Sequence, residues 1–349
     1  MNGKRGRVGV VGRLMKCEYF YKKMKKKNAI ITISVLSALL VATVSFAVSQ
    51  IVNDDEPKPN YYANKITSPY IPDRLEFAGE KVPLDVYWVH EGLDRELIIN
   101  CYQHSKTLRI FKLSSRVFPV VEKILKEEGL PEDFKYLCVA ESGLENVTSP
   151  AGANGYWQFI ASTARKFGLT VTDDIDERCN LEKSTRAACK YLKSCKSQFG
   201  SWTLAAAAYN RGEGGLQKAI EHQGVNNYWD LWLNSETSRY LYRILAFKLM
   251  FENPQLYGVE ICPAEMYQPV PCKEVKVTST IPDLVEYAKN ENVTYKELRD
   301  LNPWIKNTKL VVSEGKSFTL KVPEHSKAKF KVLFMNTDNP YLKIGSSEN

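Results

Sequence analysis

The 349-residue sequence predicts a mainly α-helical body followed by a small α+β module of β-α-α-β order. Three observations carry that class. Apolar residues recur at helical spacing from about residue 84 to 258. Residues 259–272 then break the pattern with three prolines and two cysteines. Beyond them, strand-like alternation flanks two short helical runs. The length suits about two domains with a sizeable core.

The N-terminal stretch is of another kind. Residues 1–27 hold ten Lys/Arg against one acid, Glu18, and 1–28 reads as a basic tail. An uncharged run, 29–48, follows. This is the layout of a targeting segment, a positive cytoplasmic flank and then an apolar stretch. Its length fits both an anchor, which needs roughly 17–25 residues, and an over-long signal with an apolar region of roughly 7–15. Ser45-Phe46-Ala47 and Ala47-Val48-Ser49 are candidate cleavage sites, and Met24 offers a second start. No Cys follows the run, which argues against a lipid-modified N-terminus. Either way the body is expected outside the cytoplasm, in the periplasm or cell envelope. If 29–48 is uncleaved, it remains held at the cytoplasmic membrane.

Charge excludes one class of partner. The other 322 residues carry 38 basic and 39 acidic side chains, so the folded body lacks the surplus a nucleic-acid binder needs. Cys17 lies on the cytoplasmic side. Of the seven remaining cysteines, Cys138 is the expected free thiol, and Cys189/Cys195 and Cys262/Cys272 are candidate disulfides. No Cys/His spacing suggests a metal site, and no cofactor is expected.

In chain order, 49–83 is rich in Pro, Asn, Asp and Lys and reads as a linker. Helices follow around Leu97–Tyr102 and over 115–128, 162–167, 181–199 and 236–251, with Gly129, Gly200 and Asn253-Pro254 as stops. Residues 202–209 are small and apolar, and 210–215 read as a flexible glycine-rich turn. The helical domain is set at 84–258, a linker at 259–272, the second module at 273–323 and a tail at 324–349. One more strand is expected at 329–334.

One helix in this body is unusual. Pro131 with Glu132 and Asp133 signals a start, and Phe134, Leu137, Cys138 and Glu141 then share one face. Tyr136, Val139 and Ala140 make the opposite side apolar, so the helix is predicted to be buried nearly all round. A carboxylate carried there is desolvated and its pKa rises, which suits a general acid near neutral pH. The ordinary alternative is a helix-end residue or half of a buried ion pair.

Four motifs in order sharpen this reading: Glu141-Ser142, Gly155-Tyr156-Trp157-Gln158-Phe159, Ala208-Tyr209-Asn210, and Glu236-Thr237-Ser238-Arg239-Tyr240. Together, over about 95–257, they resemble the lysozyme-like catalytic domain of lytic murein transglycosylases, in the membrane-bound D branch. The resemblance implies cleavage of peptidoglycan between N-acetylmuramic acid and N-acetylglucosamine. Glu141 would protonate the bridging oxygen and then take the proton of the muramic 6-hydroxyl, giving a 1,6-anhydro product without water. The motifs contain no obvious second carboxylate of the kind a hydrolase needs.

The resemblance also implies a substrate-binding set. Ser142 would orient the glutamate or meet substrate, and Gly155 would let backbone approach a sugar. Trp157 would stack on a sugar face, with core packing as the alternative. Gln158 would hold an N-acetyl or peptide group, and Tyr209 would donate to Glu141 or the anomeric region. Asn210 would contact a sugar, with Glu236 and Tyr240 lining the cleft. The C-terminal module resembles a LysM domain through Val293, Leu298, Leu301 and Asn302-Pro303. It departs at Thr278-Ser279-Thr280 and at Ser313-Glu314-Gly315-Lys316, which leaves glycan binding by it open. The expected partner is the glycan strand. The rivals are a peptidoglycan or chitin hydrolase, goose-type lysozyme-like, and a non-catalytic peptidoglycan-binding protein.

Overall fold

The computed structural model describes residues 24–27, which are helical, and 66–328. Cys17, the apolar run 29–48, residues 49–65 of the linker and the strand expected at 329–334 lie outside the described residues. The chain divides into two units, Met1–Thr67 and Ser68–Asn349, and the second holds both the helical body and the C-terminal module. Among the described residues no helix is long and apolar enough to cross a membrane.

The body opens earlier than its composition suggests. Within the segment read as linker, β1 (Glu76–Phe77) and β2 (Glu80–Lys81) pair as a hairpin. Its two-residue turn puts Ala78 and Gly79 at positive φ, as a tight hairpin requires. Phe77 is fully buried, edge-on to Phe134 at 5.3 Å. The carboxylate of Glu80 accepts from the backbone N–H groups of Trp202 and Thr203, at the positive end of a later helix. Burial pushes this carboxyl up, but those bonds, with the Thr203 hydroxyl and Lys196, hold it below its ordinary value.

Two helices follow, α1 (Tyr87–Tyr102) and α2 (His104–Glu127). The second begins eleven residues before the expected Ser115 and carries Pro119 without breaking. Helix α3 (Phe134–Ser142) is the predicted buried helix: Phe134 through Val139 are all buried, and Gly143 ends it in the left-handed conformation. Pro131 does not begin the helix itself. It starts a tight turn of i→i+3 bonds, Phe134 to Pro131 and Lys135 to Glu132, and the helix follows three residues later. The buried Lys135 ion-pairs with Glu122 and Glu132, each at 2.6 Å.

Helix α4 (Ala161–Lys166) is short, and α5 (Leu181–Phe199) has the predicted bounds. Helix α6 (Trp202–Arg211) carries Ala205 to Ala208, all fully buried, so its neighbours approach closely. The expected glycine-rich loop is confined to Gly212. Gly214 and Gly215 sit inside a further helix, α7 (Glu213–Gln223), which the sequence reading missed. Helix α8 (Ser235–Glu252) closes the body. It packs against α1 at Gly92, where an added Cβ would lie 2.6 Å from the Tyr242 ring.

The segment read as a second linker is strapped to the body. Val259, Ile261 and Met266 are buried in the main core, and Tyr267 N–H donates to Lys112 O at 2.9 Å. In the module, β3 (Cys272–Val277) pairs antiparallel with β4 (Phe318–Pro323), with α9 (Leu284–Asn290) and α10 (Tyr295–Leu301) between them. Asn302 is fully buried and exchanges bonds with Lys321 N–H and O, tying the end of α10 to β4. The module and body meet along the acidic loop 172–179. Ile175 bridges Ile305 and belongs to the module's apolar core. Asp176 N–H donates to Trp304 O, and Lys306 N–H to Asp174 O, both at 2.8 Å.

The cysteine pairing is corrected. All seven described cysteines are free. Cys189 and Cys195 lie six residues apart on α5, well round the helix from each other, which keeps their sulfurs apart.

Candidate active site

Glu141 sits on the last turn of α3 and keeps some surface while its surroundings are protein. Tyr240, from the second turn of α8 and only 1% exposed, donates its hydroxyl to Glu141 Oε1. Burial, the largest influence, pushes the Glu141 carboxyl up to about 7. The Tyr240 bond and Arg243 pull it down, and Glu236 pushes it up further. Burial, and then Glu141 itself, hold the Tyr240 phenol far above its ordinary value, so it stays protonated and a donor. Near neutral pH Glu141 therefore exchanges a proton readily, beside a fixed hydroxyl.

The remaining motif residues divide into those that reach this point and those that build the wall behind it. Glu236 is exposed on the first turn of α8 and acts electrostatically on Glu141. Tyr209 is close enough for Glu141 to raise its phenol, after burial, but its hydroxyl donates to Trp157 O at 2.7 Å and not to Glu141. The hydroxyl that reaches Glu141 is that of Tyr240. Asn210 Oδ1 accepts from the buried Thr237 hydroxyl at 2.8 Å, tying α6 to α8. Ser142 donates to Cys138 O one turn back, at 3.3 Å.

Two motif residues pack inward. Trp157 is fully buried and donates its indole N–H to Thr185 at 2.9 Å, so its ring packs in the core and offers no face to a sugar. Gly155 does permit a close approach, but of the chain to itself. Its φ is +82°, and an added Cβ would lie 1.9 Å from Arg178 O. Gln158, at φ +47°, donates its amide to Val147 O and Gly155 O, both at 2.8 Å, and so staples the loop that carries it.

Three side chains that no motif marked also shape the site. Arg178 and Asp176 form a buried bidentate pair at 2.8 and 2.7 Å. Arg178 donates to Gly152 O and Phe159 O, and Asp176 accepts from Asn154, so the pair pins both ends of the 152–159 loop. Burial pushes the Asp176 carboxyl up, but Arg178 and Asn154 outweigh it and hold it low. Arg243 bridges outward to Glu96, which also binds Arg239 at 2.6 Å. Arg239 and Arg243, four residues apart on one helix face, were the available signal.

Residues 119–231 match the family described as Transglycosylase SLT domain, and 273–326 match the Soluble lytic transglycosylase C-terminal LysM-like domain. The chain therefore carries an SLT domain followed by a LysM-like domain.

Among individual proteins, it is 28% identical over 263 residues to Membrane-bound lytic murein transglycosylase D of Escherichia coli, covering 73% of this chain and 56% of that one. It is 31% identical over 114 residues to a Putative tributyltin chloride resistance protein of Alteromonas, covering 31% of this chain and 55% of that one. It is 44% identical over 70 residues to Peptidoglycan transglycosylase gp16 of Escherichia phage T7, covering 20% of this chain and 5% of that one. The chain spans about half the length of the murein transglycosylase D proteins it matches.

Proposed function

We propose that this protein is a peptidoglycan lytic transglycosylase, exported to the cell envelope, with Glu141 as its single acid and base. The observation that carries the reading is the Glu141–Tyr240 pair within an SLT domain: a desolvated carboxyl poised near pH 7 and oriented by a buried phenol. The names of the relatives support the substrate class.

In the proposed reaction, protonated Glu141 gives its proton to the oxygen linking muramic C1 to the N-acetylglucosamine unit, and the C1–O bond breaks. The Glu141 carboxylate then takes the proton of the muramic 6-hydroxyl as O6 bonds to C1. The proton count closes with Glu141 again protonated and no water consumed. Tyr240 holds the carboxylate form between the two steps. Glu236 keeps the pKa of Glu141 high, and Ser142, Gln158 and Asn210 are the proposed contacts to sugar and N-acetyl groups. Gly155 and Trp157 act indirectly, by holding the loop. The run 29–48 would deliver the body to the envelope and, if retained, tether it.

Digestion of purified peptidoglycan by the full chain, read by mass spectrometry, tests this. 1,6-Anhydromuropeptides are expected, each lighter by one water than a hydrolysis product. Reducing-end products would overturn the reading in favour of a hydrolase.

A further inference from the structure

Trp232 is the most exposed large aromatic among the described residues, at 87%. Its neighbours Leu231 and Leu233 are buried, so the segment runs in, out, in, and the alternation projects the indole into solvent. Packing does not hold this ring, which is left almost wholly in water. Its backbone is nevertheless fixed. Gln223, at the end of α7, accepts from Trp232 N–H at 2.8 Å and donates to Trp232 O at 2.9 Å, closing a two-bond clamp.

The flanks are held as well. Arg211 donates to Asn234 at 2.7 Å, and the Trp88 indole donates to Trp229 O at 2.9 Å. The backbone that carries the ring is thus held by hydrogen bonds before, at and after Trp232, which lowers the ordering cost of binding there.

Its place along the chain relates it to the site. Trp232 lies four residues before Glu236, the acid that acts on Glu141, which puts it within about 14 Å of Glu236 along an extended backbone. From these observations we propose that Trp232 is a stacking platform for a sugar of the peptidoglycan glycan, several units from the reacting bond. The inference rests on the function proposed above.

The chemistry favours a glycan. A pyranose presents an apolar C–H face that fits the electron-rich face of an indole, while its hydroxyl and acetamido edges need polar partners. Polar side chains lie close by along the chain: Gln223 is bonded to the Trp232 backbone, and Asn227, Asp230 and Asn234 fall within five residues of it. A lipid surface would instead call for a wider apolar collar.

Full-length Trp232→Ala and Trp232→Phe proteins, assayed on long uncrosslinked glycan strands and on the shortest fragments the wild type cleaves, test the proposal. Trp232→Ala should lower kcat/KM on long strands roughly three- to tenfold more than on short fragments, through KM, with melting temperature unchanged. Trp232→Phe should recover most of that loss. Equal losses on both substrates, or none on long strands that the wild type cleaves, would sink the platform and leave the enzymatic reading standing. Loss of binding to phosphatidylethanolamine–phosphatidylglycerol vesicles with KM for strands unchanged would reassign the ring to the membrane. A wild type that neither cleaves nor binds strands would remove both readings.

Discussion

The hydroxyl of Tyr240 donates to the carboxylate of Glu141 across 99 residues of sequence, joining the last turn of α3 to the second turn of α8. The bond favours the ionised carboxylate while burial favours the neutral one, and the value near 7 is the balance.

Removing the donor should tilt that balance in a known direction. In Tyr240→Phe the carboxylate loses its partner, so the pKa of Glu141 rises. The alkaline limb of the kcat/KM profile, where the acid is lost, should move to higher pH, while the rate at the optimum falls about tenfold. An unchanged limb would mean that the phenol does not act through Glu141.

Glu141→Gln should lose activity by roughly 10²–10⁴-fold and gain stability. The folded carboxyl has a raised pKa, so the native state holds its proton longer than the unfolded chain. That stabilisation is complete below about pH 4 and is lost as pH rises to about 7, where the wild type carries a desolvated charge. The variant should therefore match the wild type in melting temperature near pH 4 and exceed it above pH 7, by about 2–3 kcal/mol at most. Equal curves at both pH values would refute the buried-carboxyl account.

Gly155→Ala should destabilise by about 2–4 kcal/mol, since the new methyl meets Arg178 O at a φ that favours glycine. Differential calorimetry reads this directly, and activity should fall with it because the loop carrying Gln158 must shift.

Much of the frame could be read in advance, for physical reasons that also mark where reading stops. Helix α5 kept its bounds because Asn180 caps it with a side-chain bond and its apolar period is clean. Helix α7 was hidden because Gly214 and Gly215 look like a loop, although packing outweighs their propensity. The β1–β2 hairpin was hidden by polar neighbours. Glu141 was legible as a charge on an apolar stripe. Its partner was not, because Tyr209 and Tyr240 are equivalent to any pattern and only the fold decides which hydroxyl arrives. Trp157 likewise fits core and sugar alike until its burial is seen.

Asp176→Asn should leave Arg178 buried without its anion and cost about 3–5 kcal/mol. The depressed carboxyl of Asp176 contributes stability above its unfolded pKa that is lost as pH falls through the folded one. The wild type's advantage should shrink at strongly acidic pH, as urea titrations at pH 7 and pH 2.5 would show. Hydrogen exchange should quicken over residues 146–159 in the variant, and protection equal to the wild type's would count against the pair as the loop's anchor.

Ile175 has a consequence for inheritance and engineering. A side chain from the helical body completes the interior of the C-terminal module, so that module is not a cassette that can be cut at residue 272 and moved. Recombination there would leave a hole in one partner and a bare isoleucine on the other. Chimaeras should remain soluble only when the 172–179 segment travels with its module, and the intact pair should melt as one cooperative transition.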